Sequence, residues 1–186
     1  MTETQDYLNH QVEALNKIEL HQVVKIAESI NQVAQSGGKI WIAGNGGSAT
    51  TAAHCATDLS KGVFSNTGVQ IPAICLNEMV GVSTAWSNDI NFKFALKLQM
   101  ESLYTLGDLV LVFSGSGNSE NILELINFAN TKNLKTIGIG GMGGGQMSKI
   151  SSESLIIQSE DMQIIENTHL YVVHLIYKIL SEKLVS

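Results

Sequence analysis

The 186-residue sequence predicts a single α/β domain in which a five-stranded parallel sheet lies between layers of helices. Five short apolar runs alternate with stretches whose apolar residues recur at helical spacing. Strands that are apolar at every position are typical of a parallel sheet buried on both faces. A hydrophobic content of 44% and a charged content of 15% are sufficient for one large core. We expect one domain over 1–186, with N-terminal helices at 1–36 for oligomer packing and an α/β core at 37–186.

The N-terminal segment, residues 3 to 36, has the apolar periodicity of helices. We expect two helices that are separated near His21. Glycine is favoured just after a helix C-terminus, so Ser36-Gly37-Gly38 ends the second helix. The apolar positions are Leu8, Val12, Leu15, Ile18, Val23, Ile26, Ile30 and Val33.

The first half of the core begins with the apolar run Lys39–Ala43, which predicts the first strand. A helix rich in small residues follows from Ser48 to about Lys61. The only proline of the chain introduces the second strand, Ile71–Leu76. Apolar periodicity then predicts two helices, at 81–87 and 92–106.

The second half of the core continues the alternation of strands and helices. Apolar runs predict its strands, and helical spacing predicts the segments between them. A third glycine loop, Gly140–Gly145, follows the fourth strand. The predicted elements are strand 109–113, helix 120–130, strand 134–139, helix 146–149, strand 154–157 and helix 164–184.

Two glycine- and serine-rich loops are the most informative feature of the chain. Gly44–Ser48 follows the first strand and Ser114–Ser119 follows the third, and each loop precedes a helix. Glycine lets backbone N–H groups approach an anion closely, and a helix N-terminus adds unpaired donors with partial positive charge. Because ligands of α/β sheets bind at the carboxyl ends of the strands, both loops lie at the expected edge. Two such loops predict a ligand with an anionic end and a polyhydroxylated body, which is a sugar phosphate.

The basic residues constrain how a phosphate is held. The chain contains no arginine, and all 11 of its basic residues are lysines, none of them in the two loops. We therefore expect backbone N–H groups, hydroxyls and helix dipoles to bind the phosphate.

Composition also argues against several other classes of protein. A net charge of −6 disfavours a nucleic-acid surface, and no apolar run reaches the length of a membrane span. The N-terminus does not resemble a signal peptide. Cys55 and Cys75 have no ligand-like spacing, so we expect free thiols in a reducing cytoplasm.

Two pairs of residues could perform acid–base chemistry or bind a metal. His54 and Asp58 are four residues apart on one predicted helix, which places them on one face. Glu166 and His174 are eight apart on the last helix and differ by about 80° around its axis. These two imidazoles and two carboxylates suit a proton-transfer site or a metal site. His169 points roughly 140° away from His174, so we do not expect both in one pocket.

Other interpretations of these motifs remain open. A histidine and an aspartate four residues apart are often a surface pair, and a histidine of an amphipathic helix is commonly a core residue. The first loop also fits a relaxed dinucleotide fingerprint through Gly44, Gly46 and Ala49. That fingerprint requires an acidic residue about twenty residues further on, at the end of the next strand. Asp58 comes too early, inside the helix, and Glu78 comes too late. The second loop could also be a flexible turn.

With these motifs in place, the chain resembles a sugar isomerase (SIS) domain and, more narrowly, the phosphoheptose (sedoheptulose 7-phosphate) isomerase family. The motifs that carry the resemblance are Gly44–Ser48 continuing to His54, Ser87–Asp89, Ser114–Ser119, and Glu166, His169 and His174 of the final helix. The resemblance covers nearly the whole chain. It implies a flavodoxin-like, three-layer α-β-α sandwich with an N-terminal helical extension.

The resemblance also implies an activity and the residues that perform it. It implies a ketose–aldose isomerase that converts sedoheptulose 7-phosphate to a heptose 7-phosphate through an enediol(ate), with Asp58 as base and His174 as acid. It implies one Zn²⁺ per subunit, bound by His54, Asp58, Glu166 and His174. It further implies a cytoplasmic homotetramer with sites at subunit interfaces. The implied substrate-binding residues are Asn45, Gly46, Gly47, Ser48, Asn88, Asp89, Ser114, Gly115, Ser116, Ser119 and Glu166.

The chain departs from the family pattern at four positions. Asp58 replaces the usual glutamate, Glu166 the usual glutamine, Ile164 an arginine and Gly115 a threonine. The alternative function is a non-catalytic sugar-phosphate-binding regulator, or an adaptor of the bacterial replication initiator, as in a non-enzymatic branch of the family. That branch has replaced the catalytic carboxylate and the final histidine. Because Asp58 and His174 both persist here, we favour the isomerase.

Overall fold

The computed structural model describes residues 2–183, and its centre is a sheet of five parallel strands in the order β2-β1-β3-β4-β5. Every neighbouring pair of strands is parallel. This confirms the predicted sheet, and its strand order is the flavodoxin-like one. The order reverses between β1 and β3, which is where such sheets bind their ligands. The strands are β1 (Ile40–Ala43), β2 (Ala73–Cys75), β3 (Leu109–Ser114), β4 (Lys135–Gly140) and β5 (Glu153–Ile156).

The helices follow the predicted alternation. They are α1 (Glu3–Asn16), α2 (Leu20–Gln35), α3 (Gly47–Thr57), α4 (Phe64–Thr67), α5 (Val80–Asp89), α6 (Phe92–Glu101), α7 (Glu120–Thr131), α8 (Met147–Ile150) and α9 (Met162–Lys183). A π-helical segment, Asp58–Val63, joins α3 to α4. The predicted end of the last helix, residue 184, lies outside the described residues. Among residues 2–183 no helix has both the length and the apolar character that crossing a bilayer requires.

The helices cover both faces of the sheet, and strand β3 shows why. Leu109, Leu111 and Phe113 point into one core cluster with α1, α2, α3 and α9. Val110 and Val112 point into the other cluster, with α6, α7 and α8. All five side chains are fully buried, and each such burial stabilises the fold by about 1.5–3 kcal/mol. The predicted three-layer α-β-α sandwich is therefore confirmed.

The break between α1 and α2 falls at residues 17–19, close to His21 as predicted, and Ile18 packs against the core there. Two helices end earlier than predicted. Helix α3 ends at Thr57 rather than near Lys61, where the π-helical segment begins. Helix α6 ends at Glu101 rather than at 106, because the chain turns there to meet Asp108. The Asp108 carboxylate accepts hydrogen bonds from the Thr105 N–H, the Trp41 Nε1–H and the Lys39 N–H, each at 2.8–2.9 Å. Burial alone would raise the pKa of Asp108, but these hydrogen bonds lower it below its usual value.

Candidate active site

The two glycine-rich loops face each other across the crevice between β1 and β3. Because these strands are adjacent and parallel, Gly44–Ser48 and Ser114–Ser119 leave the same edge of the sheet side by side. They enclose a cleft of about 280 Å³. Nine of the eleven residues predicted to bind substrate line it. The lining residues are Asn45, Gly46, Gly47, Ser48, Phe113, Ser114, Gly115, Ser116, Ser119, Met162 and Glu166.

The cleft presents hydrogen-bond donors suited to an anion. Helix α3 begins at Gly47, so the first N–H groups of α3 have no intrahelical acceptor. Helix α7 begins just after Ser119, whose hydroxyl makes no capping hydrogen bond. Both helices thus direct their positive ends at one space, which is the arrangement predicted for a phosphate.

Asn121 and Asn77, which belong to no predicted motif, fix the first loop. The Asn45 and Asn121 side-chain amides exchange two hydrogen bonds, each 2.8 Å long, and this pair ties the first loop to the start of α7. Asn77 accepts from the Gly44 N–H at 3.0 Å and donates to the Gly44 carbonyl at 2.8 Å. Asparagine is common in turns, so no local sequence signal distinguishes these two residues.

The third glycine loop supports the second. The Gly141 N–H donates to the Gly115 carbonyl at 3.0 Å, and the Met147 N–H donates to the Gly117 carbonyl at 2.9 Å. The Asn118 side chain accepts from the Gln146 N–H at 3.0 Å. The segment after β4 therefore supports the second loop, a role that its glycine content alone does not reveal.

Asn88 and Asp89 do not join the cleft in this chain. They lie exposed at the C-terminal end of α5, where the Asn88 amide donates to the Asp89 carboxylate at 3.0 Å. The chain returns toward the loops only at Asn91–Lys93, which share a separate depression with Asn45, Ser119 and Asn121.

His54, Asp58 and His174 converge below the cleft. The His54 Nε2 lies 3.2 Å from the Asp58 Oδ2 and 3.0 Å from the His174 Nε2. The His174 Nε2 lies 3.8 Å from the same Asp58 oxygen. The two histidine side chains are 46% and 52% exposed, so the group is open to solvent or to a ligand. Asp58 is the first residue of the π-helical segment, a distortion that is frequent at functional sites.

The three donor atoms suit a metal ion. They lie within 4.8 Å of one another, and they are the only such group of histidine, cysteine, aspartate or glutamate among residues 2–183. Donor atoms of a tetrahedral zinc site lie about 3.3 Å apart, given Zn–N bonds of about 2.0–2.1 Å. Two imidazole Nε2 atoms 3.0 Å apart must share either a hydrogen or a cation. The donor set therefore fits Zn²⁺.

Glu166, predicted as the fourth metal ligand, is not part of this group. It precedes His174 by eight residues, which is a rise of about 12 Å along α9. Its carboxylate instead lies against Gly47, in the cleft between the loops. The structure thus places Glu166 with the predicted substrate-binding residues and separates it from the predicted metal ligands.

Helices α3 and α9 hold the two parts of the site at a defined separation. They run side by side in the same direction, since Gly47 meets Glu166 and His54 meets His174 further along. His54 follows Gly47 by seven positions along α3, a rise of about 10 Å. A second cavity, of about 600 Å³, opens beside Asp58 and His174 between the π-helical segment and α9.

His169 is a core residue and does not share a pocket with His174, as its angle from His174 predicts for the pair. It is fully buried and its ring lies 5.8 Å from that of Phe113. One ring nitrogen faces the Gly140 carbonyl, but neither nitrogen makes a hydrogen bond of good geometry to a described residue. Burial lowers the pKa of His169 to about 4, so the ring is neutral at physiological pH.

Both cysteines are buried free thiols, as predicted. Burial, together with the nearby Asp58 carboxylate and Cys75, raises the pKa of the Cys55 thiol. Cys55 is not one of the residues that form the group of two histidines and an aspartate.

Comparison with known proteins places these features in one family. The SIS domain family matches residues 5–141. A probable phosphoheptose isomerase of Thermoplasma volcanium is 34% identical over 175 residues, which are 94% of this chain and 89% of that protein. Phosphoheptose isomerase 1 of Campylobacter jejuni is 34% identical over 87% of this chain and 86% of its own length. The structure of a phosphoheptose isomerase from Francisella tularensis superposes with a TM-score of 0.90 at 26% identity, covering 98% of this chain and 100% of that one.

Proposed function

The chain belongs to the SIS-domain family and, within it, to the phosphoheptose isomerases, and from this premise we propose that it interconverts sedoheptulose 7-phosphate and a heptose 7-phosphate. One observation carries the proposal: an anion-binding cleft and a group of two histidines and an aspartate lie along the same pair of helices. The cleft binds the phosphate, and the histidine–aspartate group acts at the carbonyl end of the sugar.

Asp58 and His174 divide the proton transfers. The Asp58 carboxylate removes a proton from C1 of the ketose, and His174 donates a proton to the C2 carbonyl oxygen, which gives a cis-enediol. Return of a proton to C2 and loss of the O1 proton then produce the aldose. The Asp58 Oδ2 and the His174 Nε2 are 3.8 Å apart, so both can reach adjacent carbons of one substrate.

His54, Asp58 and His174 would hold one Zn²⁺ per subunit. A bound metal would polarise the carbonyl and stabilise negative charge on its oxygen. It would replace His174 at that oxygen, because an imidazole nitrogen that holds a metal has no proton to donate. Without a metal, His54 orients the other two residues, since its Nε2 lies 3.2 Å from the Asp58 Oδ2 and 3.0 Å from the His174 Nε2.

The separation of the two parts of the site favours a long substrate. About 10 Å of helix lies between the anion cleft at Gly47 and the acid–base group at His54. A phosphate held in the cleft presents a reacting carbonyl to Asp58 only if the sugar chain spans this distance. A seven-carbon sugar with a terminal phosphate meets this requirement better than a triose phosphate does.

A homotetramer with sites at subunit interfaces is part of the proposal. His54 and His174 are half exposed, and Leu8 and Val12 form an exposed apolar face on α1. A partner subunit that covered these residues would shield the site from water and complete it. Free buried thiols support a reducing cytoplasm as the compartment.

Direct observation of turnover tests the proposal. The purified chain, with zinc added, is incubated with ketose phosphates of five, six and seven carbons, and the aldose signal is followed by NMR. We expect conversion of sedoheptulose 7-phosphate at a rate above that of the shorter sugars. Binding of these sugars without any conversion would instead support the non-catalytic regulator or adaptor.

A further inference from the structure

Glu166 occupies part of the anion cleft. Helix α9 directs its carboxylate toward the N-terminus of α3, so closely that a Cβ on Gly47 would overlap both carboxylate oxygens. Glycine at position 47 is therefore what allows the carboxylate to approach the backbone there. A carboxylate at this place is itself an anion at a helix N-terminus, the position that also suits a phosphate.

The charges around the cleft determine how the Glu166 carboxylate affects a bound anion. Among the described residues that line it, Glu166 is the one charged side chain. The chain has no arginine, and no lysine lines the cleft to offset that charge. A phosphate dianion in the cleft is thus attracted by neutral dipoles and hydroxyls and repelled by one full negative charge.

A carboxylate acts differently on a sugar than on a phosphate. It is acceptor-only, and it can accept hydrogen bonds from several sugar hydroxyls. Such bonds to a charged group are roughly twice as strong as neutral ones. Inorganic phosphate, as a dianion, brings one hydroxyl and two negative charges, whereas a polyhydroxylated phosphate ester brings several donors as well.

We propose that Glu166 is a specificity residue that selects sugar phosphates against inorganic phosphate, by repelling the bare anion and accepting hydrogen bonds from the sugar. This inference rests on the proposed function only in assigning the cleft to the phosphate end of the substrate. It gives the negative charge at position 166 a role that proton transfer at Asp58 and His174 does not require.

Calorimetric titration of the full-length protein tests the inference. Inorganic phosphate and sedoheptulose 7-phosphate are each titrated into wild type, Glu166→Gln and Glu166→Ala. The alanine variant removes the charge without adding an amide donor, so it separates repulsion from a new hydrogen bond. The control is Glu160→Gln, which removes the same charge from an exposed position just before α9. Thermal unfolding verifies that each variant is folded.

We expect both Glu166 variants to bind inorganic phosphate about tenfold more tightly, as removal of one charge about 4 Å from a dianion implies. Affinity for sedoheptulose 7-phosphate should change much less, so the preference for the sugar ester over phosphate falls by a similar factor. Glu160→Gln should leave both affinities within about twofold, the scale of a surface charge change. The gain should disappear when Ser116→Ala and Ser119→Ala are added, because the phosphate then loses its site.

Unchanged or weaker phosphate binding in both Glu166 variants would overturn the inference. If the wild-type protein nevertheless isomerised sedoheptulose 7-phosphate, the proposed function would stand although the role of Glu166 would be refuted. If wild type bound neither ligand, both the inference and the assignment of the cleft would be wrong.

Discussion

Asn45 and Asn121 join the two halves of the anion cleft through a reciprocal pair of amide hydrogen bonds, each 2.8 Å long. Asn45 belongs to the loop after β1, and Asn121 lies in the first turn of α7, behind the loop after β3. Asn121 is only 3% exposed, so neither hydrogen bond can be replaced by bulk water without rearrangement. This pair sets the distance between the two helix N-termini that face the cleft.

Removal of this pair should weaken the cleft and the fold together. Asn121→Ala leaves the Asn45 amide without its partner, which should lower the free energy of unfolding by about 1–3 kcal/mol. Affinity for sedoheptulose 7-phosphate should fall because the loops lose their relative position. Urea unfolding and calorimetry measure the two effects. Asn127→Ala, at an exposed position of the same helix, should change neither quantity.

The serine hydroxyls of the second loop should contribute directly to phosphate affinity. A hydrogen bond to a charged group contributes about 1.5–3 kcal/mol, so Ser116→Ala with Ser119→Ala should weaken binding of sedoheptulose 7-phosphate at least tenfold. The melting temperature should stay close to that of wild type. Ser65→Ala, which removes an exposed hydroxyl on α4, is the matched control. If the double variant and the control bound sedoheptulose 7-phosphate with equal affinity, the prediction that this loop binds the phosphate would be wrong.

His169 should make stability depend on pH. Its pKa is near 6.5 in the unfolded chain and about 4 in the folded one, so acid favours the unfolded state. The stabilisation is complete above about pH 6.5 and is lost as the pH falls toward 4, in total about 3 kcal/mol. In His169→Leu this loss should be absent. Urea unfolding of the two proteins is measured at a series of pH values between 4 and 7. If the free energy of unfolding depended on pH equally in both, the lowered pKa of His169 would be contradicted.

Zinc binding should depend on His54. His54→Ala removes one of three convergent donors, so elemental analysis of protein purified without chelator should find far less than the one equivalent expected of wild type. His10→Ala removes an exposed histidine of α1 and should retain the metal. Absence of any transition metal from wild type, with no gain in activity on addition of zinc, would leave a metal-free acid–base site.

The sequence predicts the parts of this molecule that depend on local chemistry. Apolar runs predict the five strands, and the loops at 44–48 and 114–119 combine glycine, serine and a following helix in a pattern that locates the cleft. Helical spacing brings His54 to Asp58 and turns His169 away from His174.

What the sequence does not predict depends on contacts between distant segments. The hydrogen bonds of Asn77 and Asn121 exist only because separate elements meet at the sheet edge. Glu166 shares a broad face of α9 with His174, so periodicity groups the two. In the structure they are separated by a rise of about 12 Å along the helix, and the Glu166 carboxylate lies against Gly47, which has no side chain to exclude it.

Proton exchange from sedoheptulose 7-phosphate in D₂O tests the central claim most directly, because it detects formation of the enediol before any product accumulates. Wild type should catalyse incorporation of deuterium at C1, while Asp58→Asn and His174→Gln should lower the rate by about 10²–10⁴-fold. All three proteins should bind the sugar phosphate with similar affinity, since the anion cleft is unaltered. Absence of exchange by wild type, with or without zinc, despite binding of the sugar phosphate, would contradict the account and favour a non-catalytic sugar-phosphate sensor.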